Sequence, residues 1–172
     1  MKKTILLFLL LCCGIACEQQ PDLSVYEANK ALAEELMNSY VSPTDYDFYA
    51  SHVADDIVHV SPMYGLGEVG KEAVLEQAKF YMNNFENVTF NDPVWLPGVN
   101  NETLQPDGGV RVYGTWKGTS KATGKSFSVI AYHYFEFKDG KISQSGDFFD
   151  ATGMVMAVAP DEVTDEAESG EE

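Results

Sequence analysis

His133 and Asp147 fall within "HYFEFKDGKISQSGDFFDATGM", residues 133–154, on two strand-like runs joined by Asp139-Gly140. An imidazole and a carboxylate are side chains suited to moving protons near neutral pH, provided both reach the same reacting atom. Strand register decides whether they do. A two-residue type I′ turn pairs Lys138 with Lys141, which sets His133 opposite Gly146 and sends Asp147 to the other face, opposite Tyr132. A three-residue loop with a left-handed Gly140 pairs Phe137 with Lys141 instead, and Asp147 then shares a face with Ala131, His133, Phe135 and Ser145. The polar residue ahead of Asp-Gly favours this bulged loop. Alternation separates Phe135 and Phe137 from Tyr132, Tyr134 and Glu136, and the wholly apolar rings mark the inner face, with His133 on it.

A second histidine, His59, lies in "DDIVHVSP". Alternation groups Ile57, His59 and Ser61 against Val58 and Val60, so either face suits a core, and His59 is a pocket residue or a packing one. Aromatic residues make up 12% of the chain. Tyr64, Tyr81, Tyr113, Trp95 and Trp116 are natural pocket liners, although core and dimer interface use the same residues. Tyr64, in the glycine-rich "MYGLGEVG", and Trp116, in "YGTWKGT", are the candidate ligand contacts. No metal is expected, since His52, His59 and His133 lack ligand spacing. No cofactor is expected either: "GLGEVG" follows Pro62 rather than a strand that opens a helix, and no elbow motif holds a nucleophilic serine.

The elements that must position these residues begin after a leader. "MKKTILLFLLLCCGIAC" combines Lys2 and Lys3, a short apolar run and small residues, the composition of a secretory signal over residues 1–16. It holds all three cysteines, and it resembles the lipobox of bacterial lipoproteins, with Cys17 as the lipidated residue. That implies anchoring to an envelope membrane outside the cytoplasm, with no other membrane contact. Residues 17–22 form a tether, 23–159 a domain, and 160–172 an acidic tail too polar to bury a core. No cysteine is left for a disulfide framework. The net charge of −16 becomes −18 without Lys2 and Lys3, which repels a phosphate backbone and excludes nucleic acid as a partner.

Within the domain, a helix begins at a Ser24/Glu27 capping box, with Val25, Ala28, Leu32, Leu36 and Tyr40 as its apolar stripe. A short helix over residues 46–52 takes Ser42 as cap and Pro43 as first residue. After the His59 strand, a third helix spans about residues 71–84. Strands and turns then follow, with Pro93 marking an edge or a bulge. Helices first and a meander afterwards predict an α+β fold with a curved, mostly antiparallel sheet.

This order, with "DDIVHVSP", "GKEAVLE", "YGTWKGT" and "FEFKDGKISQSGDFFDATGM", resembles the nuclear transport factor 2-like superfamily, and within it the SnoaL-like polyketide cyclases and ketosteroid isomerase relatives. The resemblance implies a cone-shaped sheet wrapped around the helices, an apolar pocket for a small apolar or amphipathic ligand, and a homodimer formed through the sheet. It also implies a general base at Asp147, with His133 orienting it, in cofactor-free isomerase, dehydratase or cyclase chemistry. Gly146 stands where an aromatic residue usually precedes that aspartate. Many relatives have no known activity, so a non-catalytic interaction domain is the alternative, and the strand face of Ile130, Tyr132 and Tyr134 suits it.

Overall fold

The computed structural model describes residues 21–161. Helix α1 spans Ser24–Asn38, α2 Tyr46–Ser51, and α3 Lys71–Asn84. Strands are β1 Val53–Val60, β2 Glu68–Val69, β3 Phe85–Val99, β4 Pro106–Ser120, β5 Ser126–Lys138 and β6 Lys141–Phe148, and α4 (Ala151–Ala157) follows. The signal segment, Cys17 and nearly all of the acidic tail lie outside the described residues.

The sheet order is β2-β1-β6-β5-β4-β3. Only the β1–β6 pair is parallel, as a mostly antiparallel α+β fold requires. β3 forms the edge, and its pairing with β4 slips on both sides of Asn91, beside Pro93, where no amide can donate to the ladder. The sheet curves strongly around α1, α2 and α3. Ala33, Leu36, Tyr49, Val74 and Ala78 from the helices pack on Val53, Ile57, Val110, Val112, Phe135 and Ile142 from the sheet.

Two helix starts differ from expectation. In α1 the Asp22 carboxylate accepts the Ser24 N–H, in place of a Ser24/Glu27 box, and the buried face is Tyr26, Ala33, Leu36 and Met37, with Val25 exposed. The face is rotated from the expected stripe, because Tyr26 goes inward while Val25 is 60% exposed. In α2 the cap is Asp45, which accepts the Phe48 N–H at 2.9 Å. The Ser42 hydroxyl accepts from Val88 instead.

The β5–β6 turn corrects the bulged-loop expectation. Asp139 and Gly140 both have positive φ, 53° and 73°, and Lys138 pairs with Lys141, the mark of a two-residue type I′ turn. That turn alone would send Asp147 outward. The register then slips between Glu136 and Phe137: Phe137 opposes Ile142, but Glu136 opposes Gln144, so Ser143 is an inserted bulge residue. Parity is restored on β6, and His133 lies directly opposite Asp147 on the inner face. The two side chains share a face, as the bulged loop implied, but the bulge sits in the strand and not in the turn.

α4 closes the end of the cone beyond β6. Asp150 caps it through the Gly153 N–H, and Met154 and Val158 pack on Phe85 and Val88. The Thr123 hydroxyl donates to the Val158 carbonyl and the Lys125 ammonium to that of Ala159, which ties the end of the helix to the β4–β5 loop.

Candidate functional site

Asp147 stands where strands β5 and β6 meet helix α3. Its Oδ1 accepts from His133 Nδ1 at 2.7 Å and its Oδ2 from the Gln77 amide at 2.9 Å. On the far side of the imidazole, Trp116 Nε1–H donates to His133 Nε2 at 2.9 Å. An indole nitrogen only donates, so His133 Nε2 must carry a lone pair and the ring proton must sit on Nδ1. The chain Trp116→His133→Asp147 therefore fixes a neutral imidazole that presents its proton to the carboxylate. Trp116 is itself held by Phe90, whose ring centre lies 4.5 Å away, and by the edge of Tyr40.

These groups open onto a cavity of about 750 Å³, its mouth included. Polar atoms reach its wall from Tyr40, Tyr49, Gln77, Trp116, His133 and Asp147, and most of the remaining wall is apolar, with Tyr81 packed against Phe85 and Phe149. A mainly apolar hollow with a few converging polar groups is the usual form of a small-molecule site.

Burial alone would push the Asp147 carboxyl up. Positive charge on His133 and then on His59 in the acid range where a carboxyl titrates, together with the hydrogen bonds from His133 and Gln77, outweighs burial and holds the group below the ordinary carboxylate value of 3.8. The phenols respond oppositely. Burial drives Tyr40, Tyr49 and Tyr81 well above the ordinary 10.0, and the Asp147 charge adds to each shift. At neutral pH the cavity thus joins an ionised carboxylate to protonated phenols. Such a set can take a proton from carbon and donate hydrogen bonds to an oxygen that gains charge.

The remaining candidates are placed apart. His59 is 3% exposed on the inner face of β1, behind Asp147 rather than on the cavity wall. Tyr64 is 97% exposed on the β1–β2 loop and does not line the cavity. Tyr113 points outward and Trp95 packs on the main core, while Tyr81 and Trp116 do line the cavity. Gln77, Tyr40 and Tyr49 were not anticipated. Gln77 had a visible signal, a lone amide next to Val74, Ala78 and Tyr81 on the inner face of α3. Gly146, in place of the usual aromatic residue, lies under the ring of Tyr134 from the neighbouring strand, where a Cβ would come within 2.4 Å of that ring.

A curved sheet wrapped on three helices around a carboxylate-bearing apolar cavity defines the class of cone-fold pocket proteins. Residues 33–145 match the SnoaL-like domain, and the chain belongs to that family. Among solved structures it is similar to a candidate polyketide cyclase from Xanthomonas campestris pv. campestris (17% identity, TM-score 0.62, covering 79% of this chain and 100% of that one). It is also similar to a candidate isomerase from Bacillus subtilis (16% identity, TM-score 0.59, covering 74% and 93%). A phenazine biosynthesis-related protein from Pseudomonas aeruginosa aligns at 16% identity and TM-score 0.60, over 91% of this chain and 98% of that one. At these identities the likeness is one of fold. Comparison with curated proteins finds no match.

Proposed function

We propose that the cavity binds a small apolar or amphipathic molecule and that Asp147 removes a proton from it, in a metal-free isomerisation, dehydration or aldol-type cyclisation. The observation that carries this reading is the Asp147 carboxylate, oriented by His133 and Gln77 at the wall of a mainly apolar cavity. His133 orients the base. Tyr40, Tyr49 or Tyr81 would donate to the oxygen on which charge develops.

The test uses a probe whose chemistry needs only a base in an apolar site. Nitrobenzisoxazole loses its ring C–H proton to a carboxylate, those electrons form the nitrile, the N–O bond breaks, and a coloured cyanonitrophenolate is released. The wild-type protein is expected to accelerate this elimination, and Asp147→Asn to abolish the acceleration while still binding the neutral fluorophore phenylnaphthylamine. Elimination that survives in Asp147→Asn would remove the residue from the mechanism.

The leader motivates a second part of the proposal, that the domain works outside the cytoplasm on a lipid attached to Cys17. Labelling with an alkyne fatty acid should mark the full-length chain and spare Cys17→Ala.

A non-catalytic reading has one observation in its favour. The outer sheet face carries a row of rings, Tyr113, Tyr132, Phe148 and Tyr134, with Ile130 77% exposed beside them. An apolar row of this kind suits a homodimer or an envelope partner. Light scattering on residues 19–172 distinguishes the cases, because a monomer at micromolar concentration argues against self-pairing.

A further inference from the structure

His59 has no part in the scheme above, yet it holds the one buried side-chain nitrogen or oxygen without a hydrogen-bond partner among the described residues, its Nε2. Burying a ring nitrogen unpaired costs folding free energy, so its setting is informative. The ring is 3% exposed, and its Nδ1 lies 2.9 Å from the Ser145 hydroxyl. Nε2 lies 3.6 Å from Asp147 Oδ2. That separation is too long for a hydrogen bond, and it is what two acceptors facing each other without a proton would adopt.

A base that has taken a proton must pass it on. Asp147 faces His133 from β5, His59 from β1, Gln77 and Tyr81 from α3, Tyr49 from α2, and Tyr40 beyond α1. His133 cannot accept it, because Nε2 is occupied by the Trp116 N–H and Nδ1 already carries a proton. Gln77 is an amide, and the phenols already hold their protons. His59 Nε2 is left. The groups that face His59 are Ser145, Asp147 and His133.

We propose that His59 is a positioning residue that shares the proton of Asp147. In the resting site its proton is on Nδ1 and donates to Ser145, and Nε2 faces Oδ2 with a lone pair. After the carboxylate takes a proton from bound substrate, that proton passes from Oδ2 to Nε2. The products are an imidazolium and a re-ionised carboxylate, joined by a charge-assisted bond of about 2.7–2.9 Å. Return of the proton from Nε2 through Asp147 Oδ2 to the product or to water in the cavity restores the resting pair.

This inference rests on Asp147 being the base, and the experiment keeps the two claims separate. Nitrogen-15 NMR of the histidine rings is followed from neutral to acid pH in the wild type and in Asp147→Asn. Three results are expected: His59 protonated on Nδ1 at neutral pH, a His59 protonation midpoint at least about one pH unit lower in Asp147→Asn, and an acid limb of kcat/KM for nitrobenzisoxazole that follows His59. His59→Gln should move that limb to lower pH, which a purely structural histidine would not do. A resting Nε2–H tautomer, or an unmoved His59 midpoint in Asp147→Asn, overturns the proposal. Both readouts keep His59 in place, so they hold even if His59→Gln fails to fold. Elimination that persists in Asp147→Asn would instead overturn the base assignment and leave the measured coupling intact.

Discussion

Trp116 decides what His133 can do. Because its indole donates to Nε2, the imidazole is committed to one tautomer and serves Asp147 as a donor only. Trp116→Phe keeps most of the ring volume and removes the donor, leaving His133 Nε2 unpartnered beside an apolar ring. A loss of about 1–3 kcal/mol in urea unfolding is expected, together with slower nitrobenzisoxazole elimination, since a freed imidazole no longer fixes the carboxylate. Unchanged stability and rate would mean that the indole bond does not orient the histidine. Little of this was legible in the sequence. Trp116 stood out as a ring that contacts ligand, whereas its polar edge, which only a neighbouring strand could satisfy, turns out to carry its importance. His59 is the converse: its type suggested a pocket contact, and alternation could not say that Ser145 would hold it behind the base.

β4 and β6 place these residues by means that spacing alone does not reveal. On β4, Gly114 lies under the Phe90 ring so closely that an added Cβ would come within 2.3 Å of it, and Phe90 in turn packs on Trp116. Gly114→Ala therefore has to push Phe90 away. A destabilisation of about 1–3 kcal/mol is expected in thermal unfolding, with weaker phenylnaphthylamine binding as Trp116 follows. Full retention of both would show that the space under Phe90 tolerates a side chain. On β6, the Ser143 bulge reverses the parity set by the Asp139-Gly140 turn. Asp-Gly was legible as a turn, and Phe135 with Phe137 as the inner face, since both follow from local chemistry. The bulge was not, because a serine in a polar run carries no signal of whether it pairs. α3 was read to its observed ends because Val74, Ala78 and Tyr81 recur at helical spacing. α4 was missed, because its cap, Asp150, sits at the end of a strand run and the helix is only seven residues long.

At the scale of the whole molecule, the site limits stability at both ends of the pH range. Burial lowers the affinity of His59 for a proton below that of a free histidine, despite the opposing pull of Asp147. The unfolded chain therefore binds more protons than the native one below the ordinary value of 6.5, and stability falls as pH drops through that region. Asp147 acts in the same sense at lower pH. Its native value lies below 3.8, so the stability it contributes is present above 3.8 and is lost as pH falls through the native value. The phenols act in the opposite sense. Tyr40, Tyr49 and Tyr81 keep their protons in the native state after the unfolded chain has begun to ionise near 10.0, so their contribution falls as pH rises beyond that point. A net charge of −16 adds self-repulsion on the alkaline side, and salt should relieve that part while leaving the buried phenols unaffected. Urea midpoints measured across pH should give a plateau between roughly 6.5 and 10 that declines on both sides. Asp147→Asn should keep the decline that begins near 6.5 and lessen the further one below 3.8, to which Asp22 and Asp55 also contribute. If the wild-type midpoint were flat from neutral pH down to about 5, His59 would not be buried in its neutral form, and the environment of Asp147 would differ from the one that makes it a base.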